Sequence, residues 1–117
     1  MTVLIVEDNA SVRRLIRSIV AKVAGEIHEC GDGNAVLAAY LEYCPDVVLM
    51  DIEMKELDGI AVTMQIKTAY PTANIVIVTN YDDAELREAA RNAGACGYVL
   101  KDTLLEINEV LQDLAKY

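Results

Sequence analysis

Basic residues are scarce in this chain: 10 Lys and Arg stand against 19 Asp and Glu, for a formal net charge of −9. A protein that grips a phosphate backbone needs a basic patch, so the balance argues against direct nucleic-acid binding. Long apolar runs are missing as well. None approaches the roughly 20 residues that a membrane span requires. Met1-Thr2 leads straight into an apolar run without the basic opening of a signal peptide. The expectation is a cytoplasmic protein with no membrane contact. Cysteine is limited to Cys30, Cys44 and Cys96, an odd number without metal-ligand spacing, and the reading is free buried thiols. No linker, low-complexity stretch or strict repeat divides the 117 residues, so one domain over 1–117 is expected. Hydrophobic residues make up 54% of the chain and charged residues 25%, a balance that suits a folded domain rather than a disordered one.

The apolar residues are organised in short runs. Thr2-Val3-Leu4-Ile5-Val6 ends at Glu7-Asp8, Val47-Val48-Leu49-Met50 at Asp51, Ile75-Val76-Ile77-Val78 at Thr79, and Tyr98-Val99-Leu100 at Lys101. A fifth run, Ile27-His28-Glu29-Cys30, ends in no such group. Near-continuous Val/Ile/Leu runs suit strands buried on both faces of a parallel sheet. Helical patterns lie between them. Asp8 or Asn9 can cap a helix reaching about Val23, Gly33 to Tyr43 forms a second that stops before Pro45, and Asp58-Gly59 opens a third ending before Pro71. Asp82-Asp83 start a fourth that ends near Gly94. Thr103 caps a fifth, with Glu106 at capping-box distance. Five alternations of this kind give an α/β domain, a doubly wound parallel sheet of five strands with five helices.

Ligands in such a sheet bind at the carboxyl ends of the strands. Glu7, Asp8, Asp51, Thr79 and Lys101 all stand there, and together they can hold a divalent cation and a phosphoryl group. Each has an ordinary alternative. Asp8 can be a helix cap, Asp51 a turn residue, Thr79 one more β-branched strand residue and Lys101 a solvated lysine. The alternatives must all hold at once to leave that edge without function. Magnesium prefers oxygen ligands and is held by one or two carboxylates plus phosphate oxygens. Asp51 can serve as ligand and nucleophile, Lys101 as a point charge, and the Thr79 hydroxyl as a neutral donor. His28 reads as a solvated or packed histidine, the run Asp82, Asp83, Glu85 and Glu88 as a solvated face, and Met50 and Met54 as packing residues.

The segments Leu4-Ile5-Val6-Glu7-Asp8-Asn9, Val48-Leu49-Met50-Asp51-Ile52-Glu53-Met54, Leu57-Asp58-Gly59, Ile77-Val78-Thr79 and Ala93-Gly94-Ala95-Cys96-Gly97-Tyr98-Val99-Leu100-Lys101 occur in one order. With them the chain resembles the receiver domain of two-component response regulators, and its Gly-Tyr-Val-Leu-Lys-Asp ending is most similar to the NarL/FixJ subfamily. The resemblance implies a flavodoxin-like fold with strand order 2-1-3-4-5. It implies that Asp51 accepts a phosphoryl group from a sensor histidine kinase or a phosphotransfer protein. Asp8, Asp51 and the backbone carbonyl of Glu53 would ligate Mg²⁺ (or Mn²⁺), with Glu7 acting through water. Thr79 and Tyr98 would be the switch residues, and Glu53, Asn80 and Tyr81 would modulate the phosphoryl lifetime. Chemistry of its own would be limited to self-phosphorylation and slow autodephosphorylation. With a charge of −9 and no DNA-binding module in the chain, the output would leave by protein contact, in a homodimer or with a separate effector; the chain ends at Tyr117 after its fifth helix and would be either a stand-alone regulator or a receiver cut from a longer protein.

Three positions depart from the family pattern. Lys55 stands where receivers commonly have Pro, and Asn80 where they have Ala or Gly, so that Asn80 slows access or holds a phosphoryl oxygen. The usual Lys-Pro pair is Lys101-Asp102, where a cis bond would cost about 2.5–4 kcal/mol. Two rival readings stand beside the receiver. Asp51-Ile52-Glu53 is loosely like the Asp-x-Asp motif of an aspartyl-phosphate phosphatase, but that motif belongs after the first strand. A non-phosphorylated pseudo-receiver used for docking would not need Glu7, Asp8, Asp51, Thr79 and Lys101 intact.

Overall fold

The computed structural model describes residues 1–55 and 57–116; the expected domain limit at Tyr117 lies outside them. The five apolar runs become strands β1 (Thr2–Val6), β2 (Glu26–Cys30), β3 (Val47–Asp51), β4 (Ile75–Thr79) and β5 (Gly97–Leu100). They form one parallel sheet in the order 2-1-3-4-5. Helices α1 (Ala10–Val20), α2 (Val36–Tyr43), α3 (Gly59–Ala69), α4 (Ala84–Ala93) and α5 (Glu106–Ala115) fill the crossovers and the end. Side chains alternate across the sheet. Leu4, Val6, Val48, Met50, Ile75 and Ile77 therefore meet Val36, Val62, Ile66 and Ala90 of α2, α3 and α4. Val3, Ile5, Leu49, Val76, Val78 and Val99 meet Ile16 and Val20 of α1 and Ile107 and Leu111 of α5. Burial on both faces is why the runs show no polar alternation. Truncating a central residue such as Leu49 to Ala should cost about 2–5 kcal/mol.

The helix limits follow from local hydrogen bonds. Asn9, not Asp8, caps α1: its Oδ1 accepts the Val12 N–H at 3.0 Å. The helix ends at Val20 rather than Val23, because the N–H groups of Val23 and Ala24 both turn back to the Val20 carbonyl. Asp58 accepts from the Ile60 N–H to start α3, and Asp83 accepts from Glu85 and Leu86 to start α4. Gly94, at φ 106, closes α4 in the left-handed conformation that glycine adopts without strain.

Some expectations need correction. Thr103 does not cap α5. Residues Lys101–Thr103 form a 3₁₀ turn directly after β5, the Thr103 hydroxyl donates to the Leu100 carbonyl at 3.4 Å, and the residue before α5 is Leu105. A capping residue needs extended backbone, and here the chain has already coiled. Only Cys30 is a buried thiol; Cys44 and Cys96 are free and exposed, because both sit in connections between elements. A short antiparallel ladder pairs Glu53–Met54 with Leu57–Asp58, which the apolar pattern does not announce. No cis peptide bond occurs among the described residues, Lys101-Asp102 included. His28 is packed as expected, stacked on Tyr43 with ring centroids 3.7 Å apart. No helix among the described residues is long and apolar enough to cross a membrane.

Candidate functional site

Register brings the chemistry to one edge. Val6 lies opposite Met50, so Glu7 and Asp51 leave β1 and β3 at the same level. Thr79 lies opposite Leu100, which places Lys101 one step beyond it. The result is a cavity of about 420 Å³ lined by Glu7, Asp8, Asp51, Thr79 and Lys101, with Glu53, Asn80 and Tyr81 also in its wall. The expected residues other than Tyr98 thus share one cavity.

Lys101 Nζ sits 2.7 Å from Glu7 Oε1 and 3.4 Å from Asp51 Oδ1. Glu7 Oε2 accepts the Asn9 N–H at 3.1 Å, Asp51 Oδ1 accepts the Glu53 N–H at 3.2 Å, and Asp8 Oδ2 accepts the Lys55 N–H at 3.3 Å. The Lys55 donor exists because proline, which has no N–H, is absent there. Carboxylate oxygens of Glu7, Asp8 and Asp51 all lie within 4.8 Å of one another. Glu7 is only 1% exposed and Asp51 4%, so water cannot screen their repulsion. Burial, and then the charge of Glu7, push Asp51 up to about 7, against the opposing pull of Lys101. Burial draws the Lys101 ammonium down, but its hydrogen bond to Glu7 and the charge of Asp51 outweigh that and raise it. Three carboxylates face one ammonium. A hard divalent cation with oxygen ligands fits that donor set and offsets its excess charge.

Beyond the acids, Thr79 is buried and its hydroxyl oxygen accepts the Tyr81 N–H at 3.2 Å. Tyr81 in turn joins two elements: its hydroxyl donates to Glu53 Oε1 at 2.9 Å, and its carbonyl accepts from the Tyr98 hydroxyl at 2.6 Å. Tyr98 is joined to the site by this hydrogen bond to Tyr81. Arg87 lies over its ring at 4.5 Å and pairs with Asp82 at 2.9 Å.

The structure adds residues that sequence reasoning missed. Gly59 starts α3 so close to β3 that a Cβ would overlap the Asp51 carbonyl oxygen. Its place beside Asp58 was visible, but the approach was not. Arg13 donates through Nη1 to the Glu7 carbonyl at 2.8 Å, and nothing in its helical spacing signals that contact.

A family model described as the response regulator receiver domain matches residues 3–114. The chain belongs to the response regulator receiver family. Among curated relatives, this receiver is 38% identical over 109 residues to the transcriptional regulatory protein YxjL of Bacillus subtilis, covering 89% of the chain but 49% of YxjL. It thus spans about half the length of that relative. It is also 37% identical to the chemotaxis protein CheY of Halobacterium salinarum, covering 85% of the chain and 82% of CheY. Among solved structures, the receiver is similar to a LuxR-family two-component response regulator from Aurantimonas, with a TM-score of 0.89, 28% identity and coverage of 98% and 85%.

Proposed function

We propose that this receiver accepts a phosphoryl group on Asp51 and thereby switches a protein-interaction surface in a phosphorelay. The single observation that carries the reading is Asp51 itself. It is a buried carboxylate 3.4 Å from the Lys101 ammonium, inside a cluster of acids that a cation would neutralise. The donor is a phosphohistidine on a sensor histidine kinase or a phosphotransfer protein. An Asp51 oxygen forms the new bond to phosphorus as the phosphorus–nitrogen bond to the imidazole breaks. That electron pair stays on the departing ring, which leaves as neutral imidazole once it holds one proton.

Asp8 and Asp51, with the backbone carbonyl of Glu53 and with Glu7 through water, would hold Mg²⁺ (or Mn²⁺). Bound there, the cation supplies charge neutralisation for the phosphoryl oxygens. The residues do the rest. Asp51 must shed its proton to act as a nucleophile, and Lys101 favours that by holding positive charge beside it. Lys101 also offers its ammonium to an incoming phosphoryl oxygen, and the Thr79 hydroxyl can donate to another. Tyr81 and Glu53 stand at the mouth, where water must enter. The acidic surface argues for a protein partner and against nucleic acid.

Acetyl phosphate with Mg²⁺ tests the reading by intact mass. The expected result is a long-lived single phosphorylation that Asp51→Asn abolishes. Rapid turnover without accumulation would mark a phosphatase, no mass gain a docking module, and full labelling of Asp51→Asn a wrong acceptor.

A further inference from the structure

Arg13 touches the candidate site only through the backbone. Its Nη1 donates to the Glu7 carbonyl oxygen at 2.8 Å, while its Nε pairs with Glu29 Oε1 at 2.9 Å. The other oxygen of Glu29 takes Arg17 Nη1 at 2.7 Å. The guanidinium passes directly over Gly31, where a Cβ would come within 2.8 Å of Nη1. An arginine on α1, an acid on the edge strand β2 and a residue without a side chain therefore combine to deliver one donor to one carbonyl. Glu7 is consequently tied at its backbone as well as its side chain. Its N–H bonds to the Cys30 carbonyl at 3.1 Å, its carboxylate oxygens meet Asn9 and Lys101, and its carbonyl meets Arg13.

The Glu7 carbonyl belongs to the planar peptide that joins Glu7 to Asp8. Fixing that oxygen fixes the plane, and the plane sets where Asp8 leaves the strand. A charge-assisted bond from a guanidinium is among the stronger ways to hold a carbonyl. We propose that Arg13 is a positioning residue, which locks the Glu7–Asp8 peptide so that both acids face a cation in the cluster. The inference rests on the metal reading given above and extends it to a residue that contacts neither metal ligand side chain.

Charge and position predict opposite signs for Arg13→Ala. Removing a positive charge beside three acids favours a cation electrostatically. Releasing the peptide disfavours it. A loss of affinity is therefore a signature of positioning that a simple charge effect cannot give. Arg17→Ala is the matched control, since it breaks an ion pair to the same Glu29 without touching Glu7.

The experiment measures Mg²⁺ binding to the full chain by calorimetry, and amide exchange of residues 7–9 without metal. Arg13→Ala should weaken Mg²⁺ on the order of tenfold, as loss of a partner that orients a metal ligand does. Arg17→Ala should stay within about twofold of wild type. Gly31→Ala, which crowds the guanidinium while keeping its charge, should shift in the same direction as Arg13→Ala. Exchange at Asn9 should quicken in Arg13→Ala and not in Arg17→Ala. Unchanged Mg²⁺ affinity in Arg13→Ala, or equal losses in both arginine variants, overturns the proposal. If wild type itself fails to bind Mg²⁺, the metal reading falls. Exchange then decides the positioning claim: faster exchange in Arg13→Ala alone upholds it, and equal rates in both variants end it.

Discussion

The Tyr81 hydroxyl donates to Glu53 Oε1 at 2.9 Å, so one hydrogen bond spans the mouth of the acidic cavity from the loop after β4 to the loop after β3. The same carboxylate raises the Tyr81 phenol, which stays protonated and able to donate. Water that hydrolyses an aspartyl phosphate has to pass this bridge or be oriented by it. Glu53→Ala and Tyr81→Phe should therefore change the dephosphorylation rate of the labelled protein, and should do so together because they break one bond. Rates within about twofold of wild type for both, a barrier difference of ~0.4 kcal/mol, would end the gating idea.

Asp51 links stability to pH. In metal-free buffer its folded value is pushed up to about 7 from 3.8, so the native state keeps a proton that the unfolded chain releases. Stability is thus full below 3.8 and falls as pH rises toward about 7. At about 1.4 kcal/mol per pH unit over this interval the loss is on the order of 4 kcal/mol. Lys101 is raised in the other direction of charge, and its contribution is lost only in strongly alkaline solution, outside this window. Asp51→Asn should flatten the profile and be the more stable protein at about pH 8. Urea unfolding midpoints at about pH 5 and pH 8 make the measurement; parallel profiles for wild type and variant would contradict it.

Asp8→Ala removes one of three like charges and frees the Lys55 N–H. Without metal the variant should be no less stable than wild type. With millimolar Mg²⁺ the wild-type unfolding transition should move up, by about 2.7 kcal/mol at a hundredfold excess over the dissociation constant, and Asp8→Ala should not follow. Equal shifts in both proteins would remove Asp8 from the ligand set.

Tyr98 is tied to the loop after β4 by its hydroxyl bond to the Tyr81 carbonyl, next to the buried Thr79. On the proposed reading, phosphorylation would draw the Thr79 hydroxyl and thereby disturb this chain and the face formed by α4, β5 and α5. A phosphate mimic such as beryllofluoride should tighten self-association or partner binding by roughly 5- to 150-fold. Tyr98→Ala should shrink that coupling while leaving Asp51 phosphorylation intact. Amide exchange confined to α1, with residues 82–116 silent, would move the output face elsewhere.

What was legible in the sequence was what repeats or ends a repeat. The Val/Ile/Leu runs announced the sheet because burial on both faces leaves no polar alternation. Their terminal residues announced the cavity because parallel strands end on one edge. The misread features depend on how elements join. Thr103 and Glu106 have capping-box spacing, yet the chain coils at Lys101 and carries Thr103 into a 3₁₀ turn. The thiols of Cys44 and Cys96 look like core material by residue type, but connections carry them outward. The reach of Arg13 to Glu7 depends on Gly31 in another strand connection, which no spacing along α1 contains.

Gly59 carries a genetic consequence. Any side chain at this residue would overlap the backbone oxygen of Asp51, so α3 or the end of β3 would have to move. An allele carrying Gly59→Ala would keep every carboxylate, the lysine and the threonine of the cavity, yet would displace the backbone from which Asp51 projects, a loss that no inventory of reactive residues would reveal.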